Sequence, residues 1–413
     1  MSKYAVAIDL GTTTLAASLI DCSRGQRIAM SGAMNPQRRY GADVISRMNI
    51  AVASEAAQME MSSLIRAELL RMSHDLCRQS GVAWPDVKRV AIAGNPAMQH
   101  ILLGLPLKSL AYPPYRPLHT TGTSLKASDI DWDNDADVYV FPMPGGFVGG
   151  DTVAFIYGAK PENSTLCLDM GTNGEIALIS GDTIWATSAA AGPAFEGGNL
   201  SCGMVALPGA ISSVQIEGDR LKLRVINDVR PIGICGSAAI EAISELLHCE
   251  IIEPNGRLRN ADEITSNLAS RITTHDEANA FVLHRDADRQ VLITQDDIRQ
   301  VQLAKSAIRA GIEVLLDRSR IQCQALNNLI LTGSFGAVLQ AEWLKTIGVF
   351  DENMVHITTF KPEGALSGAE KALVDNDDFC SVEALGGHFR VVPLSGTPTF
   401  EAKFIHNINF PRS

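Results

Sequence analysis

The sequence lacks closely spaced cysteines. Eight cysteines occur among 413 residues, none of them forms a C-x-x-C pair, and the nearest two are Cys235 and Cys249. Iron–sulfur clusters and structural zinc sites are usually held by such pairs, so we expect neither in this chain. Free thiols are typical of a reducing compartment, and the sequence therefore predicts a cytoplasmic location.

The chain also lacks a long apolar run and an excess of basic charge. Its longest uncharged stretch, Gly197–Ile216, contains three serines, Asn199 and Pro208, which argues against a membrane-spanning helix. No apolar leader follows Met1, so a secretory signal is not expected. With 35 basic and 46 acidic residues the net charge is −11, which argues against nucleic acid and against an anionic membrane surface as partners.

What the sequence has is a globular composition and an internal repeat. Hydrophobic residues make up 46% of the chain and charged residues 20%, and such a length is typical of two to three domains. An apolar run ends in Asp9 and is followed by a Gly-Thr turn and a second apolar run, and the same order recurs at Asp169. Two copies of this unit predict an α/β fold with two similar lobes and a cleft between them.

The repeat also sets the expected domain boundaries. We expect an N-terminal lobe over residues 1–160 and a C-terminal lobe with a C-terminal extension over residues 161–413. Residues 105–136 are rich in Pro, Ser, Thr and Asp, which is typical of an irregular insert. Helical periodicity is present in residues 43–80 and again at Gln295–Leu316.

The two repeated turns have the composition of a phosphate site. Glycine permits a tight turn in which backbone N–H groups and hydroxyls point toward one anion. An aspartate at the strand end repels a phosphate unless a cation lies between them, so the pattern predicts Mg²⁺. We expect Asp9 and Asp169 to hold this ion and to take part in catalysis. The residues expected to line the phosphates are Gly11, Thr12, Thr13, Thr14, Gly171, Thr172, Asn173 and Gly174.

These turns resemble the two phosphate loops of the actin-like ATPase superfamily, which includes sugar and acetate kinases and heat-shock chaperones. Gly149–Gly158 is similar to the crossover helix of the chaperones, Gln302–Lys305 to the helix that touches ribose and adenine, and Thr332–Gly336 to the adenosine-binding turn. The resemblance implies a duplicated ribonuclease-H-like fold that binds ATP or ADP with Mg²⁺. The adenosine contacts that it implies come from Gln302, Lys305, Gly333, Ser334 and Phe335.

Asp151 is the first candidate for catalysis under this resemblance. A carboxylate at the start of a helix can orient the water that attacks the γ-phosphate, and phosphoryl transfer depends mainly on such positioning. A plain helix-capping aspartate is the alternative. Lys305 and Gln302 have a similar alternative, as ordinary solvated side chains of a helix.

A narrower resemblance covers nearly the whole chain. It is carried by Asn35–Gln37, Tyr40–Arg47, Gly94–Pro96, Met98–His100, Ala191–Gly197, Gly233–Ser237 and Gln302–Gly311. These segments are similar to the ATPase domain of the reductive activators of corrinoid-dependent methyltransferases. The resemblance implies ATP hydrolysis coupled to reduction of Co(II) to Co(I) on a corrinoid protein, with a homodimer as a further expectation. Since the chain has no cluster-binding spacing, a separate protein is expected to supply the electron.

Other interpretations remain open at this stage. The superfamily also contains small-molecule kinases, in which Asp151 would deprotonate a substrate hydroxyl, and a nucleotide-binding regulator or scaffold with little turnover is a third reading. Glu196 is either a second acid near the phosphates or part of a structural turn. Arg38, Arg39 and Arg47 either dock an acidic partner or form a solvated face.

Overall fold

A computed structural model of the protein describes residues 3–41, 43–333, 339–375 and 377–412. The chain forms two compact units that interleave along the sequence. The first comprises Met1–Asn163, Ile179–Thr187 and Glu363–Val392, and the second comprises Ser164–Leu178, Ser188–Pro362 and Pro393–Ser413. The division expected from the sequence, 1–160 and 161–413, stays a prediction.

Helices and strands alternate along much of the chain. The helices are α1 (Val44–Ala53), α2 (Glu55–Ser80), α3 (Pro96–Leu103), α4 (Lys108–Ala111), α5 (Gly150–Ala159), α6 (Gly236–His248), α7 (Gln295–Ser319), α8 (Ala341–Thr346), α9 (Glu352–His356), α10 (Gly364–Asp375), α11 (Cys380–Gly387) and α12 (Pro398–His406). The strands are β1 (Tyr4–Leu10), β2 (Thr14–Asp21), β3 (Gln26–Met34), β4 (Val87–Gly94), β5 (Thr123–Lys126), β6 (Asp137–Val140), β7 (Thr165–Met170), β8 (Gly174–Ser180), β9 (Thr183–Ala189), β10 (Ala210–Glu217), β11 (Arg220–Val225), β12 (Gly233–Ile234), β13 (Ile272–His275), β14 (Ala278–Arg285), β15 (Gln290–Thr294), β16 (Asn328–Gly333), β17 (Thr358–Phe360) and β18 (Phe389–Val391). Within the described ranges, no helix combines the length and the apolar character needed to cross a membrane.

The first unit is built on a six-stranded sheet of order β3-β2-β1-β4-β6-β5. Strand β1 is antiparallel to β2 and parallel to β4. Ile8 and Leu15 of the central strands belong to one buried cluster with Ile65 and Leu69 of α2. Because successive side chains of a strand point to opposite faces, the second face of the sheet is left for α5, which packs on β4, and for α10, which packs on β1 and β4.

Helices α5 and α10 approach each other backbone to backbone. A Cβ atom added at Gly368 would lie 1.7 Å from the carbonyl oxygen of Ala154, and one added at Gly158 would lie 2.8 Å from Cα of Gly368. Only glycine permits an approach this close. Through this contact a segment from late in the chain, which includes α10, packs within the first unit.

In the second unit, β7 is antiparallel to β8 and parallel to β16, which pairs in turn with β17. Strand β7 therefore has the same kinds of neighbour as β1, namely the second strand of its own hairpin and a parallel strand from later in the chain. This similarity confirms the internal repeat and the α/β architecture. The long helix α7 begins with a capping box between Thr294 and Asp297, and α12 packs along it.

Candidate functional site

The first aspartate turn lies at the carboxyl end of β1. Asp9 is the penultimate residue of this strand, and Gly11 follows in a turn so tight that a Cβ atom there would lie 2.3 Å from the carbonyl oxygen of Thr14. The Thr12 hydroxyl is largely buried and accepts a hydrogen bond of 2.9 Å from Nδ2 of Asn95. The turn is thus fixed by the residue that follows β4.

Two asparagines that sequence reasoning did not place in the site hold this turn. Asn35 is buried, and its Nδ2 and backbone N–H donate to the carbonyl oxygens of Gly11 and Thr13, each at 2.9 Å. Asn95 also caps α3, because its Oδ1 accepts from the Met98 N–H at 3.1 Å. Each asparagine precedes a proline and occupies an N-cap. The Asn-Pro pair, which is typical of helix starts, was the available sequence signal.

Asp151 lies in the first turn of α5. The N-cap position belongs to Gly149, where a Cβ atom would lie 2.5 Å from the carbonyl oxygen of Gly94 and 2.7 Å from Cα of Asn95. The start of α5 therefore packs on the end of β4, at the edge of the sheet where Asn95 contacts Thr12. The alternative in which Asp151 is itself the cap is wrong.

The Asp151 carboxyl group is poorly solvated. Burial raises its pKa from the ordinary value of 3.8 to about 6, although hydrogen bonds from Thr152 oppose this shift. The Thr152 backbone N–H lies 2.7 Å from Oδ1 of Asp151, and the Thr152 hydroxyl lies 3.3 Å from it. A carboxyl group with a pKa near 6 can hold a proton or a water molecule under physiological conditions, which is what a general base requires.

The second aspartate turn is built in the same way in the second unit. Asp169 is the penultimate residue of β7, and the Gly171 N–H donates to the Asn173 carbonyl oxygen at 3.0 Å across the turn. The Thr172 hydroxyl donates to Oε2 of Glu196 at 2.5 Å. Glu196, whose role the sequence left open, therefore contacts the turn directly.

A further carboxylate faces this turn. Glu175 lies directly opposite Asp169 in the β7–β8 register, so their side chains lie on one face of the sheet. The Ser188 hydroxyl donates to Oε1 of Glu175 at 3.2 Å. Glu175 was not recognised in the sequence. Since Mg²⁺ prefers one or two carboxylates and keeps several waters, these donors fit a hydrated Mg²⁺ ion.

The start of the expected adenosine turn adjoins the second aspartate turn. Gly333 pairs with Met170 in the β16–β7 register, and its φ of +138° places it against the Met170 carbonyl oxygen. A backbone conformation of this kind favours glycine. Ser334 and Phe335, the other residues expected at this turn, lie outside the described residues.

Gln302 and Lys305 lie on the face of α7 that is covered by the C-terminal segment. Both side chains are about 1% exposed, so the alternative of two solvated residues is wrong. Lys305 Nζ donates to the carbonyl oxygens of Asn407 and Asn409, and Gln302 Nε2 donates to that of Ile408 at 3.1 Å. Burial lowers the pKa of Lys305 to about 8. The expected adenosine contacts of these two residues stay predictions.

Lys305→Met is expected to lower the free energy of unfolding by about 2 to 4 kcal/mol, because two buried carbonyl groups lose their donor. Urea unfolding followed by circular dichroism would measure this change. Lys403→Met is the matched control, since Lys403 of α12 forms only partly exposed ion pairs with Glu313 and Asp317. This substitution should lower the free energy of unfolding by less than about 1 kcal/mol. Loss of nucleotide affinity without loss of stability in Lys305→Met would contradict the structural role.

The α/β fold with its two aspartate turns is that of the ASKHA (actin-like ATPase) class, as the family comparison shows. Residues 163–413 match the family described as the C-terminal domain of RACo, the ASKHA domain, and residues 4–163 match the RACo middle region. The chain therefore belongs to the RACo family. This finding confirms both the expected fold class and the resemblance to the reductive activators of corrinoid-dependent enzymes.

Named relatives and a solved structure agree with this assignment. The chain is 29% identical over 416 residues to a corrinoid activation enzyme, RamQ, of Eubacterium limosum, covering 98% of this chain and 70% of that protein. It is 27% identical to the [Co(II) methylated amine-specific corrinoid protein] reductase of Methanosarcina barkeri, covering 84% of this chain and 65% of that protein. The solved reductive activator for corrinoid, iron–sulfur protein matches with a TM-score of 0.88 and 28% identity, covering all of this chain and 67% of that one.

Proposed function

We propose that the chain is an ATP-hydrolysing activator that drives the reduction of Co(II) to Co(I) in the corrinoid protein of a methyltransferase system. The observation that supports this most is the placement of a poorly solvated carboxyl group, Asp151, at the sheet edge that carries the Asp9 turn, in a chain of the RACo family. The names of the relatives, a corrinoid activation enzyme and a Co(II) corrinoid protein reductase, support the choice of partner.

The residues that would hold Mg²⁺ and the nucleotide are those of the two turns and of the strand end beside the second one. Asp9 and Asp169 would bind the ion, directly or through water. The phosphates would contact Gly11, Thr12, Thr13, Thr14, Gly171, Thr172, Asn173 and Gly174, and the adenosine would contact Gln302, Lys305, Gly333, Ser334 and Phe335. When bound, the ion neutralises phosphate charge and favours transfer of the γ-phosphoryl group to water.

Asp151 carries the proton chemistry of the proposed reaction. With a pKa of about 6, its carboxyl group is mostly ionised at neutral pH and can orient a water molecule while accepting its proton. The hydrogen bonds from Thr152 fix the carboxylate against the helix backbone. Water thus enters the reaction and ADP and inorganic phosphate leave it, without a covalent intermediate on the protein.

The reduction itself takes one electron for each cobalt. In this proposal the electron comes from a donor protein other than this chain. The contribution of this chain is to bind the corrinoid protein differently in its ATP and ADP states, since a ligand shifts an equilibrium only through differential affinity. A homodimer is compatible with this role, and neither nucleic acid nor a membrane is required.

Cobalt spectroscopy tests the proposal. The chain is mixed with a Co(II) corrinoid protein of a methyltransferase system and a low-potential reductant, and the Co(I) absorption band is followed after addition of Mg-ATP. We expect Co(I) to accumulate with ATP and not with ADP, and not with Asp151→Asn. Equal Co(I) formation with and without ATP would overturn the proposal. If the chain instead used ATP to phosphorylate a small hydroxyl compound without any partner protein, the small-molecule kinase would be the better assignment.

A further inference from the structure

Arg47 of α1 is the largest side chain that is fully buried in the described part of the chain, with 0% exposure. The sequence interpretation, in which Arg47 docks an acidic partner or lies on a solvated face, is therefore wrong. A guanidinium group keeps its charge under almost all conditions. Burial lowers the pKa of Arg47 to about 10, which still leaves the group charged at neutral pH.

The hydrogen bonds that the structure gives Arg47 include none to a carboxylate. Its Nε donates to the carbonyl oxygen of Gly41 at 3.0 Å, and Nη1 contacts the sulfur of Met98, a weak acceptor, at 3.6 Å. Among the described residues its Nη2 has no hydrogen-bond partner. The charge of Asp43 favours the charged form of Arg47, but the Asp43 oxygens accept hydrogen bonds from the backbone N–H and the hydroxyl of Ser46, each at 2.8 Å.

A second polar atom in the same segment is also unsatisfied. Within the described ranges, Oε1 of Gln37 is buried without a hydrogen-bond partner, although Nε2 of the same side chain donates to the Met61 carbonyl oxygen at 3.0 Å. Buried polar groups without partners are uncommon and costly. The two unsatisfied atoms, Nη2 of Arg47 and Oε1 of Gln37, lower the stability of the folded chain. We therefore expect a functional reason for their presence in this segment.

Arg47 lies directly behind the first aspartate turn. The Met98 sulfur that it contacts is also 3.7 Å from Nδ2 of Asn35, and this same Nδ2 donates to the Gly11 carbonyl oxygen at 2.9 Å. One layer of side chains thus separates the guanidinium group from the turn. Two unit charges on the order of 10 Å apart in a protein interior still change an equilibrium by about tenfold.

We propose that Arg47 places a fixed positive charge behind the Gly11 turn and so determines the preference of the site for a triphosphate over a diphosphate. This inference rests on the proposed function, because it assumes that the turn binds nucleotide phosphates. Arg47 is a positioning and specificity residue that acts through its electric field and does not touch the nucleotide. The buried charge of Arg47 is a cost to the nucleotide-free protein, and the negative charge of a bound phosphate would offset part of it.

Binding titrations of Mg-ATP and Mg-ADP test this inference, together with thermal unfolding of the nucleotide-free protein. Arg47→Met and Arg47→Gln both remove the charge, and the glutamine keeps a donor should the methionine variant fail to fold. We expect ATP affinity to fall about tenfold and ADP affinity by clearly less. Arg47→Lys should keep the ATP-to-ADP affinity ratio of the natural chain. The unfolding temperature shows that each variant is folded, and it also reports the cost of Arg47→Met, which removes the donor to the Gly41 carbonyl oxygen.

Arg66→Met is the matched control within the same unit. Arg66 is partly buried, whereas Arg47 is fully buried, and it is paired with Asp131 at 3.0 Å and donates to the Leu102 carbonyl oxygen at 2.9 Å. Its loss should lower the unfolding temperature and leave the affinity ratio unchanged. An unchanged ratio in the folded Arg47 variants would overturn the inference alone. A natural chain that binds neither nucleotide would overturn the proposed function as well.

Discussion

Asp151→Asn is expected to lower the rate of ATP hydrolysis by about 100-fold or more, since a positioned general base contributes on that scale. Affinity for Mg-ATP should be retained, because the substitution removes a negative charge near the phosphates and leaves the two turns unchanged. Phosphate release by the natural chain should rise with pH through about 6, as the carboxyl group loses its proton. The measurements are phosphate release against pH and calorimetric titration of Mg-ATP.

The same substitution is expected to stabilise the folded chain. The pKa of Asp151 is raised in the folded state, so above pH 6 the folded protein carries a charged, poorly solvated group that the unfolded chain solvates freely. Asparagine removes this cost, which amounts to at most about 3 kcal/mol at pH 8 and vanishes below about pH 4. Asp182→Asn, at an exposed position, should change neither turnover nor stability. Turnover within threefold of the natural chain would exclude Asp151 as the base.

This pairing of lost turnover with gained stability separates a functional carboxylate from a structural one. A carboxylate kept for packing or capping lowers stability when it is replaced. The N-cap of α5 is Gly149, and the side-chain oxygen of asparagine can still accept from the Thr152 N–H that Asp151 binds. The cost of burying its charge is retained in the natural chain, as expected where selection acts on activity more than on stability.

The sequence was sufficient to locate features that depend on contiguous residues. Asp9 and Asp169 each end an apolar strand before a glycine turn, and this pattern fixes the local structure without reference to the rest of the chain. Asp151 was identified through the resemblance of Gly149–Gly158 to the crossover helix of the chaperones, and the structure places it in the first turn of a helix. The long periodic segment of residues 43–80 was also predictable, although it is two helices, with Ser54 capping the second.

Features that depend on distant contacts were not predictable. No local pattern shows that Gly368 packs on Ala154, since the contact joins helices that are far apart in the sequence. Periodicity showed that Lys305 lies on a helix but not that the C-terminal segment covers it. Arginine is a residue type that is usually exposed, and only the packing of α1 shows that Arg47 is buried. The helix face that is covered depends on tertiary structure. Local periodicity in a single sequence does not identify the segment that covers it.

Asp169→Asn is expected to raise the Mg²⁺ concentration needed for half-maximal ATP hydrolysis by about tenfold or more. Changes to the groups that surround a metal typically lower metal affinity on this scale. Asp9→Asn should act in the same direction, because each aspartate ends its strand beside a phosphate turn. Titration of Mn²⁺ in the presence of ADP, followed by electron paramagnetic resonance, measures the ion directly. It also separates a loss of metal binding from a loss of catalysis.

Glu175→Gln is the matched comparison for Asp169→Asn. Glu175 lies directly opposite Asp169 in the register of β7 and β8, so the two carboxylates present their charge on one face of the sheet. The Ser188 hydroxyl already donates to Glu175, whose replacement should therefore shift the Mg²⁺ requirement by only about threefold. A larger shift for Glu175→Gln than for Asp169→Asn would move the proposed ion contact from the strand end to the facing strand. The first aspartate turn has alanine at the corresponding position, Ala16 opposite Asp9, so the hairpin of the second turn carries more negative charge than that of the first.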